Sequence, residues 1–205
     1  MNAGARPWPR RLHSITGLVP VGGFLAFHLY ENSLAARGAE AYNEAAHRLQ
    51  QMPFALALEV GIIGAPILYH GIYGLFLAGQ ERQSPIGNLR LGRALLVAQR
   101  ITGVVVFAFI GFHLWTTRLV QLADHGELDL YHLVRSTIAN PWIYVFYLAG
   151  ILSATFHLAI GLWTFSIAWD LARGEKAQRI VAFVSAGLFL LLSAIGVRAI
   201  AAFRM

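Results

Sequence analysis

The chain has 205 residues, of which 57% are hydrophobic, and its mean hydropathy of +0.58 is higher than a water-soluble domain needs. It contains no cysteine, which excludes disulfides, protein-bound iron–sulfur clusters and covalently attached c-type haem. In a soluble protein the net charge of +6 would suggest nucleic acid as a partner. Here the arginines lie in short loops between apolar stretches, so we attribute the charge to membrane topology and expect no nucleic-acid partner.

Five apolar runs long enough to cross a bilayer as helices, roughly 20 residues each, follow one another at 12–33, 54–79, 101–122, 142–169 and 180–203. The sequence therefore predicts an all-α membrane protein with five transmembrane helices in a single domain, 1–205. The first run follows Arg10 and Arg11, as the core of a secretory signal would. It is longer than the about 7–15 apolar residues of a signal and carries His28 and Glu31 near its end, so we interpret it as a helix of the mature protein.

The connections between the spans differ in character. The stretch 34–53 is polar with a short amphipathic pattern, and the stretch 123–141 ends in Asn140-Pro141; we expect both to be ordered caps over the bundle. The loop 80–99 is basic and is predicted to be a docking surface on the inner side. Its turn signals are Ser84-Pro85 and Gly87-Asn88.

The distribution of Lys and Arg favours a cytoplasmic N-terminus. With that orientation the inner segments hold most of the basic residues, namely Arg6, Arg10, Arg11, Arg82, Arg90, Arg93, Arg100, Arg173, Lys176 and Arg179. The outer segments hold Arg37, Arg48, Arg118, Arg135, Arg198 and Arg204. Acidic residues partly balance the charge of the outer set. The excess of basic residues in the inner segments therefore places the N-terminus on the inner side.

Two pairs of spans share motifs, which indicates a diverged internal repeat. Spans one and three share an Arg, a Thr-Gly and a late His: Arg11, Thr16-Gly17 and His28, then Arg100, Thr102-Gly103 and His113. Spans two and four share His-x-x-x-Gly-Leu-aromatic, which begins at His70 and at His157. We therefore predict a core four-helix bundle built from two copies of a helix pair.

Four histidines inside the spans fall at two depths. At a rise of 1.5 Å per residue, His28 and His113 lie about 20 Å from the inner edge, in the outer half. His70 and His157, on spans that run inward, lie about 22–25 Å from the outer edge, in the inner half. Ionisable side chains in hydrocarbon are costly, so each of the four is a candidate functional residue.

Two histidines at matched depth can supply both axial ligands of one haem iron, which suits electron transfer because the iron is then six-coordinate. A single intramembrane histidine is explained as simply by a hydrogen bond between helices, but four that pair by repeat and by depth favour haem ligands. The clustered histidine motifs of a desaturase-type metal centre are lacking. Glycines near the ligands would let a flat macrocycle approach the helices: Gly71, Gly74, Gly111 and Gly161.

Longer stretches carry a family likeness. They are 10–22 (RRLHSITGLVPVG) followed by His28, 35–43 (AARGAEAYN), 99–103 (QRITG), Gly161-Leu162-Trp163 and Gln178-Arg179. Together they extend over essentially the whole chain, which resembles the cytochrome b membrane-anchor subunit of di-haem succinate:quinone oxidoreductases (succinate dehydrogenase or fumarate reductase) of the five-helix, single-anchor type.

The resemblance implies a complex in the bacterial cytoplasmic membrane with a flavoprotein that carries FAD and an iron–sulfur subunit, both on the cytoplasmic side. It implies electron transfer between succinate or fumarate and a quinone, with neither the FAD site nor the succinate site on this chain. It also implies two haem b groups. The family's four axial ligands match His28, His70, His113 and His157, paired as the depths pair them.

Glu59 is our candidate for proton delivery to the quinone. It lies about 16 Å before His70 along the helix, near the depth of the outer haem, and the resemblance makes an outer, menaquinone-type site the expectation. The alternative is that Glu59 only accepts a hydrogen bond inside the bundle. On the inner side, Arg11, His13 and Arg100 are instead candidates for a quinone or haem-propionate site, so both sides stay open for the quinone. For His13, lipid phosphate is a simpler partner than a propionate.

Two other functions stay open at this point. One is the cytochrome b of a different quinone-linked dehydrogenase, such as a formate or hydrogen enzyme, which the whole-chain resemblance disfavours. The other is a transporter that uses the buried histidines as a proton relay. Transporter repeats are often inverted with helices broken at the midplane, whereas this repeat keeps its orientation. Pro66 can kink span two, but span four has no matching break.

Overall fold

The computed structural model describes residues 8–80, 90–124 and 129–205, and no strand occurs in these ranges. The continuous helical stretches are α1 (Trp8–Arg37), α2 (Ala39–Gln50), α3 (Ala55–Ala78), α4 (Gly92–Ala123), α5 (Leu130–Thr137), α6 (Pro141–Ala168) and α7 (Gly174–Ala202). Of these, α1, α3, α4, α6 and α7 are long and apolar enough to cross a membrane. The prediction of an all-α membrane protein with five spans is confirmed.

The spanning helices α1, α4 and α7 begin several residues earlier than the apolar runs predicted. The backbone of α4 is already helical at Arg90, and α7 begins at Gly174. Long basic side chains such as those of Arg93 and Lys176 keep their charge in water while their stems cover apolar surface, so a helix continues past the hydrocarbon region. The turn signals predicted between 84 and 88 lie outside the described residues.

Four of the spans enclose the middle of the molecule. Helix α1 packs against α3, α3 against α4, α4 against α6, and α6 against α1, while α7 packs on the outside against α1 and α6. The predicted core of four helices is therefore the arrangement found. The four histidines predicted inside the spans lie on those four helices and not on α7.

The outer surface of the spans is apolar. Ile62, Leu68, Phe76, Phe183 and Leu190 are all more than half exposed. In water such a surface would be an aggregation hazard, but lipid chains are as apolar as these side chains. The exposed residues are what a helix bundle presents to a bilayer.

The short helices α2 and α5 cover one end of the bundle, which we call the capped end; the opposite end, where α1 begins, is the amino-terminal end. The side-chain oxygen of Asn43 on α2 accepts a hydrogen bond from the backbone N–H of Tyr131 on α5 at 3.0 Å. The rings of Tyr42 and Tyr131 both contact Phe203, which is 1% exposed. The predicted cap over 34–53 is thus ordered, as is the described part of 123–141.

Three spans contain a π-helical turn, in which the backbone is locally wider than an α-helix: Gly17–Val21, Glu59–Gly64 and Trp115–Leu119. Pro20 lies inside the first and Pro66 two residues after the end of the second, and a proline removes one helical hydrogen bond. At the third, Thr117 donates to the carbonyl of His113 at 2.6 Å, a bond that bends helices. The helices α6 and α7, described throughout, are α-helical along their length.

Candidate functional site

The histidines of α3 and α6 face each other toward the amino-terminal end. The ring centroids of His70 and His157 are 6.1 Å apart, and the ring planes are nearly perpendicular at 85°. Metal–imidazole bonds are about 2 Å long, so two rings on opposite sides of one metal have centroids about 6 Å apart. The separation fits two axial ligands of a single iron.

The histidines of α1 and α4 form a second pair nearer the capped end. The ring centroids of His28 and His113 are 5.7 Å apart, with ring planes at 72°. Phe24 stacks beside His28 at 5.2 Å and Phe109 beside His113 at 5.7 Å. The structure therefore brings together the histidines that the depth argument paired, while their role as ligands stays a prediction.

Backbone carbonyls orient both rings of the amino-terminal pair. Nδ1 of His70 lies 2.9 Å from the carbonyl oxygen of His13, and Nδ1 of His157 lies 2.9 Å from that of Gln99. A carbonyl only accepts, so each Nδ1 must carry the hydrogen. That tautomer leaves the Nε2 lone pair free to bind a metal, which is the arrangement metal-binding histidines adopt.

The repeated Thr-Gly motif forms the surroundings of these two rings. The hydroxyls of Thr16 and Thr102 each lie 3.1 Å from the same carbonyl oxygens that accept from the histidines. A Cβ on Gly17 would collide with the ring of His70, and a Cβ on Gly103 would lie 2.9 Å from Cε1 of His157. The glycines are therefore needed because the imidazoles lie directly against the helix backbone.

The pair nearer the capped end has side-chain partners. Nδ1 of His113 lies 3.3 Å from the hydroxyl of Tyr147, a residue that is 3% exposed. Nε2 of His28 lies 3.3 Å from the amide nitrogen of Asn32, whose oxygen accepts from Tyr42 at 3.3 Å. Binding a metal through Nε2 of His28 requires Asn32 to release that nitrogen.

The glycines expected to face a macrocycle mostly face protein. A Cβ on Gly74 would lie 3.1 Å from His13 and one on Gly161 would lie 3.7 Å from Gln99, while Gly71 lies against a phenylalanine ring. Gly111 has no atom within 4 Å of its Cβ position, but it is exposed on the outer surface of α4, in line with the exposed Val104 and Trp115.

His13 is not at the lipid surface. Its ring stacks on that of His70 with centroids 4.0 Å apart and planes at 8°. The interpretation of His13 as a contact of lipid phosphate is wrong, because its position one helical turn before Thr16-Gly17 puts it on the face of α1 that packs against α3. The exposed His47 and His132 are solvated, as predicted; His125 lies outside the described residues.

The indole of Trp163 on α6 is a buried donor without an acceptor. Its Nε1 has no hydrogen-bond partner among the described residues, and neither has Oγ of Ser185 on α7. Trp163 follows His157 by about 9 Å along the helix, toward the amino-terminal end. A buried N–H left alone costs free energy, so this position fits a bound group that brings its own acceptor oxygen, as haem does with its carboxylates.

Glu59 is held in an ion pair across the bundle. Its Oε1 and Oε2 accept from Nε and Nη2 of Arg118, both at 2.7 Å. Nη1 of Arg118 donates to Oε1 of Gln121 at 3.1 Å, and Gln50 on α2 donates to the same oxygen at 3.2 Å. Sequence reasoning missed this partner because Arg118 was counted only as a topogenic charge.

The family of succinate dehydrogenase/fumarate reductase transmembrane subunits matches residues 79–197. A relative, the succinate dehydrogenase cytochrome b558 subunit of Bacillus subtilis (strain 168), is 39% identical over 194 residues, which cover 95% of each chain. The chain belongs to this family. No solved structure matches it.

Within the described ranges, no group of three or more His, Asp or Glu side chains forms a site for a bare metal ion. His28 faces His113 and His70 faces His157, so these four histidines form two facing pairs. Such pairs suit a metal whose other ligands come from a prosthetic group.

Proposed function

We propose that the chain is the cytochrome b subunit that anchors succinate dehydrogenase or fumarate reductase to the membrane and binds two haem b groups. His70 and His157 would hold the iron nearer the amino-terminal end, and His28 and His113 the iron nearer the capped end. The proposal depends on one observation: on the four core helices, the ring centroids of the two histidine pairs lie 6.1 and 5.7 Å apart.

The chain's own residues prepare the ligands. The carbonyls of His13 and Gln99 fix the Nδ1-protonated tautomer, so Nε2 presents its lone pair without a reorganisation on binding. Trp163 would donate to a haem carboxylate, and Gly17 and Gly103 make room for the ligand rings. Haem held by two histidines supplies one-electron redox chemistry with no open position for oxygen.

The partners follow from family membership and charge. We propose that the amino-terminal end faces the cytoplasm, where the basic residues collect and where a flavoprotein with FAD and an iron–sulfur subunit would dock. The succinate site would then lie on the flavoprotein. The membrane would be the cytoplasmic membrane of a bacterium, with the capped end facing outward.

Glu59 would serve the quinone, which we propose to be menaquinone. It lies within a span, paired with Arg118, which follows His113 by about 7 Å toward the capped end, and it is partly open to the side of the bundle, where a membrane-dissolved quinone arrives. A carboxylate there can accept a proton from a quinol or relay one to a quinone. Exchange of Glu59 for Gln should slow quinone turnover and leave the haem spectra unchanged.

A haem count on the purified complex tests the proposal. Two haem b per chain are expected by pyridine haemochrome assay, and fewer would contradict it. In single variants, His70→Ala or His157→Ala should remove one spectral component and His28→Ala or His113→Ala the other. If the two histidine variants of one pair removed different spectral components, the pairing would be refuted.

Copurification separates this function from the alternatives. A flavoprotein and an iron–sulfur protein should accompany the chain, without the molybdenum or nickel of a formate or hydrogen enzyme. A colourless preparation would instead support a transporter.

A further inference from the structure

The ion pair between Glu59 and Arg118 lies within two of the candidate membrane spans, Ala55–Ala78 and Gly92–Ala123. Charges at such positions are costly and usually mark a functional site. The guanidinium of Arg118 cannot become neutral by losing a proton, so its charge remains within the span. Arg118 follows His113 on the same helix by about 7 Å, so the pair lies close to the capped-end histidines.

Both residues stand where the backbone departs from α-helical geometry. Glu59 is the first residue of the π turn Glu59–Gly64, and Arg118 is the fourth of the π turn Trp115–Leu119. π turns are found often at functional sites because they redirect side chains out of the regular helical faces. Two such turns on neighbouring helices therefore aim the two charges at each other.

The pair is partly exposed on an apolar flank. The side chains of Arg118 and Glu59 are 25% and 37% exposed, while their neighbours Leu56, Val60 and Trp115 are each 60–66% exposed. A purely structural ion pair would be expected to be sealed between the helices. This one is open to a ligand that arrives through the lipid with an apolar tail.

The hydrogen-bonding capacity of the pair is not used up. A guanidinium has five N–H donors, and the described residues accept from three of them: two go to Glu59 and one to Gln121. A quinone oxygen only accepts, so it pairs with Arg118 and not with a carboxylate. A quinol hydroxyl donates, so it pairs with the carboxylate of Glu59.

We propose that Arg118 and Glu59 together bind the head group of a quinone and its quinol at the capped end, Arg118 by donating to a quinone oxygen and Glu59 by accepting from a quinol hydroxyl. The proposal rests on the function proposed above and adds Arg118 as a binding residue.

Gln121 and Gln50 are positioning residues for this site. Gln121 is 3% exposed, and its Oε1 accepts from both Arg118 and Gln50, the latter on the cap helix α2. The guanidinium is therefore fixed on one edge by Glu59 and on another by the cap before a ligand arrives. Orientation in advance reduces the entropy lost on binding.

The test uses the whole complex, purified from membranes. Arg118→Gln removes the charge, and Arg118→Lys keeps it but loses the planar donor geometry. The matched control is Arg48→Gln, which opens the exposed ion pair of Arg48 with Glu44 on α2, 64% and 65% exposed. Each protein is assayed for haem absorbance, succinate oxidation by a water-soluble dye, and KM and kcat with a short-chain naphthoquinone.

Arg118→Gln is expected to raise the KM for the quinone by about 10- to 100-fold, as loss of a charge-assisted hydrogen bond does. Arg118→Lys should raise it less, and Arg48→Gln by no more than about twofold. Haem absorbance and dye-linked activity should match the wild type. Glu59→Gln should weaken quinol binding, measured in fumarate reduction, more than quinone binding.

An unchanged KM in Arg118→Gln, with both haem bands present, overturns this proposal and leaves the proposed function standing. A wild-type complex without haem or without quinone reduction refutes the proposed function itself. If the variants do not assemble, photolabelling of the wild-type complex with an azido-naphthoquinone replaces them as the test. Labelling of 55–64 and 115–123, competed by unlabelled quinone, supports the proposal, and labelling confined to other segments overturns it.

Discussion

Exchange of Gly103 for alanine tests the close approach of α4 to the ring of His157. The new Cβ would lie 2.9 Å from Cε1 and 3.2 Å from Nδ1, so the ring must move and its 2.9 Å bond to the carbonyl of Gln99 must stretch. Overpacking of this kind costs about 1–3 kcal/mol, which is about a 5- to 150-fold loss of haem affinity at the His70–His157 pair. Gly17→Ala should cost more, because its Cβ would overlap the ring of His70.

The assay is the loss of haem from the solubilised complex over time, followed in the spectral component that disappears in His70→Ala. The component assigned to His28 and His113 should stay. Gly187→Ala on α7 is the matched control, because no atom lies within 4 Å of its Cβ position and alanine favours the helix by about 1 kcal/mol. Equal haem retention in Gly17→Ala, Gly103→Ala and Gly187→Ala would refute the reasoning.

Three further predictions concern the capped end. If His113 binds iron through Nε2, its Nδ1 carries the hydrogen and donates to the hydroxyl of Tyr147. Tyr147→Phe then removes that acceptor, makes the imidazole less electron-donating and should raise the midpoint potential of one haem by about 20–60 mV; a redox titration with no shift would contradict it. Gly111→Ala should leave the haem content equal to wild type, because residue 111 is exposed on the outer surface of α4 and no atom lies within 4 Å of its Cβ position; a lowered haem content would place the macrocycle against that surface. Asp129 caps α5 by accepting from the backbone of His132 at 3.0 Å. Partial burial acts to raise the pKa of Asp129, but that hydrogen bond and those from Asn43 and Tyr131 outweigh it and lower the pKa below 3.8. Asp129→Ala should therefore destabilise the cap by about 1 kcal/mol above pH about 4, with the difference from wild type fading as the pH falls through the lowered pKa; thermal melts that differ equally at pH 7 and pH 3 would contradict this.

The spans and the pairing of histidines could be predicted because both follow from one-dimensional regularities. Apolar length decides which segments cross a membrane. Depth then follows from the rise per residue, and it placed His28 with His113 and His70 with His157 before any contact was known. The repeated Thr-Gly motif was visible too, although its part in holding imidazoles was not.

The missed features depend on three-dimensional geometry that spacing does not encode. A π turn changes the face on which later side chains emerge, so nothing in the sequence placed Arg118 opposite Glu59. The stacking of His13 on His70 follows from how closely α1 and α3 approach each other. The carbonyl acceptors belong to the main chain. Every residue type has such a carbonyl, so the residues at positions 13 and 99 do not reveal the hydrogen bonds.

That the acceptors at positions 13 and 99 are carbonyls has a consequence for how the two halves diverged. One position bears an imidazole and the other a carboxamide, yet the rings of His70 and His157 keep the same anchor at 2.9 Å. After a gene duplication the side chains at these two positions could thus become different while the tautomer of the neighbouring imidazole was preserved in both copies.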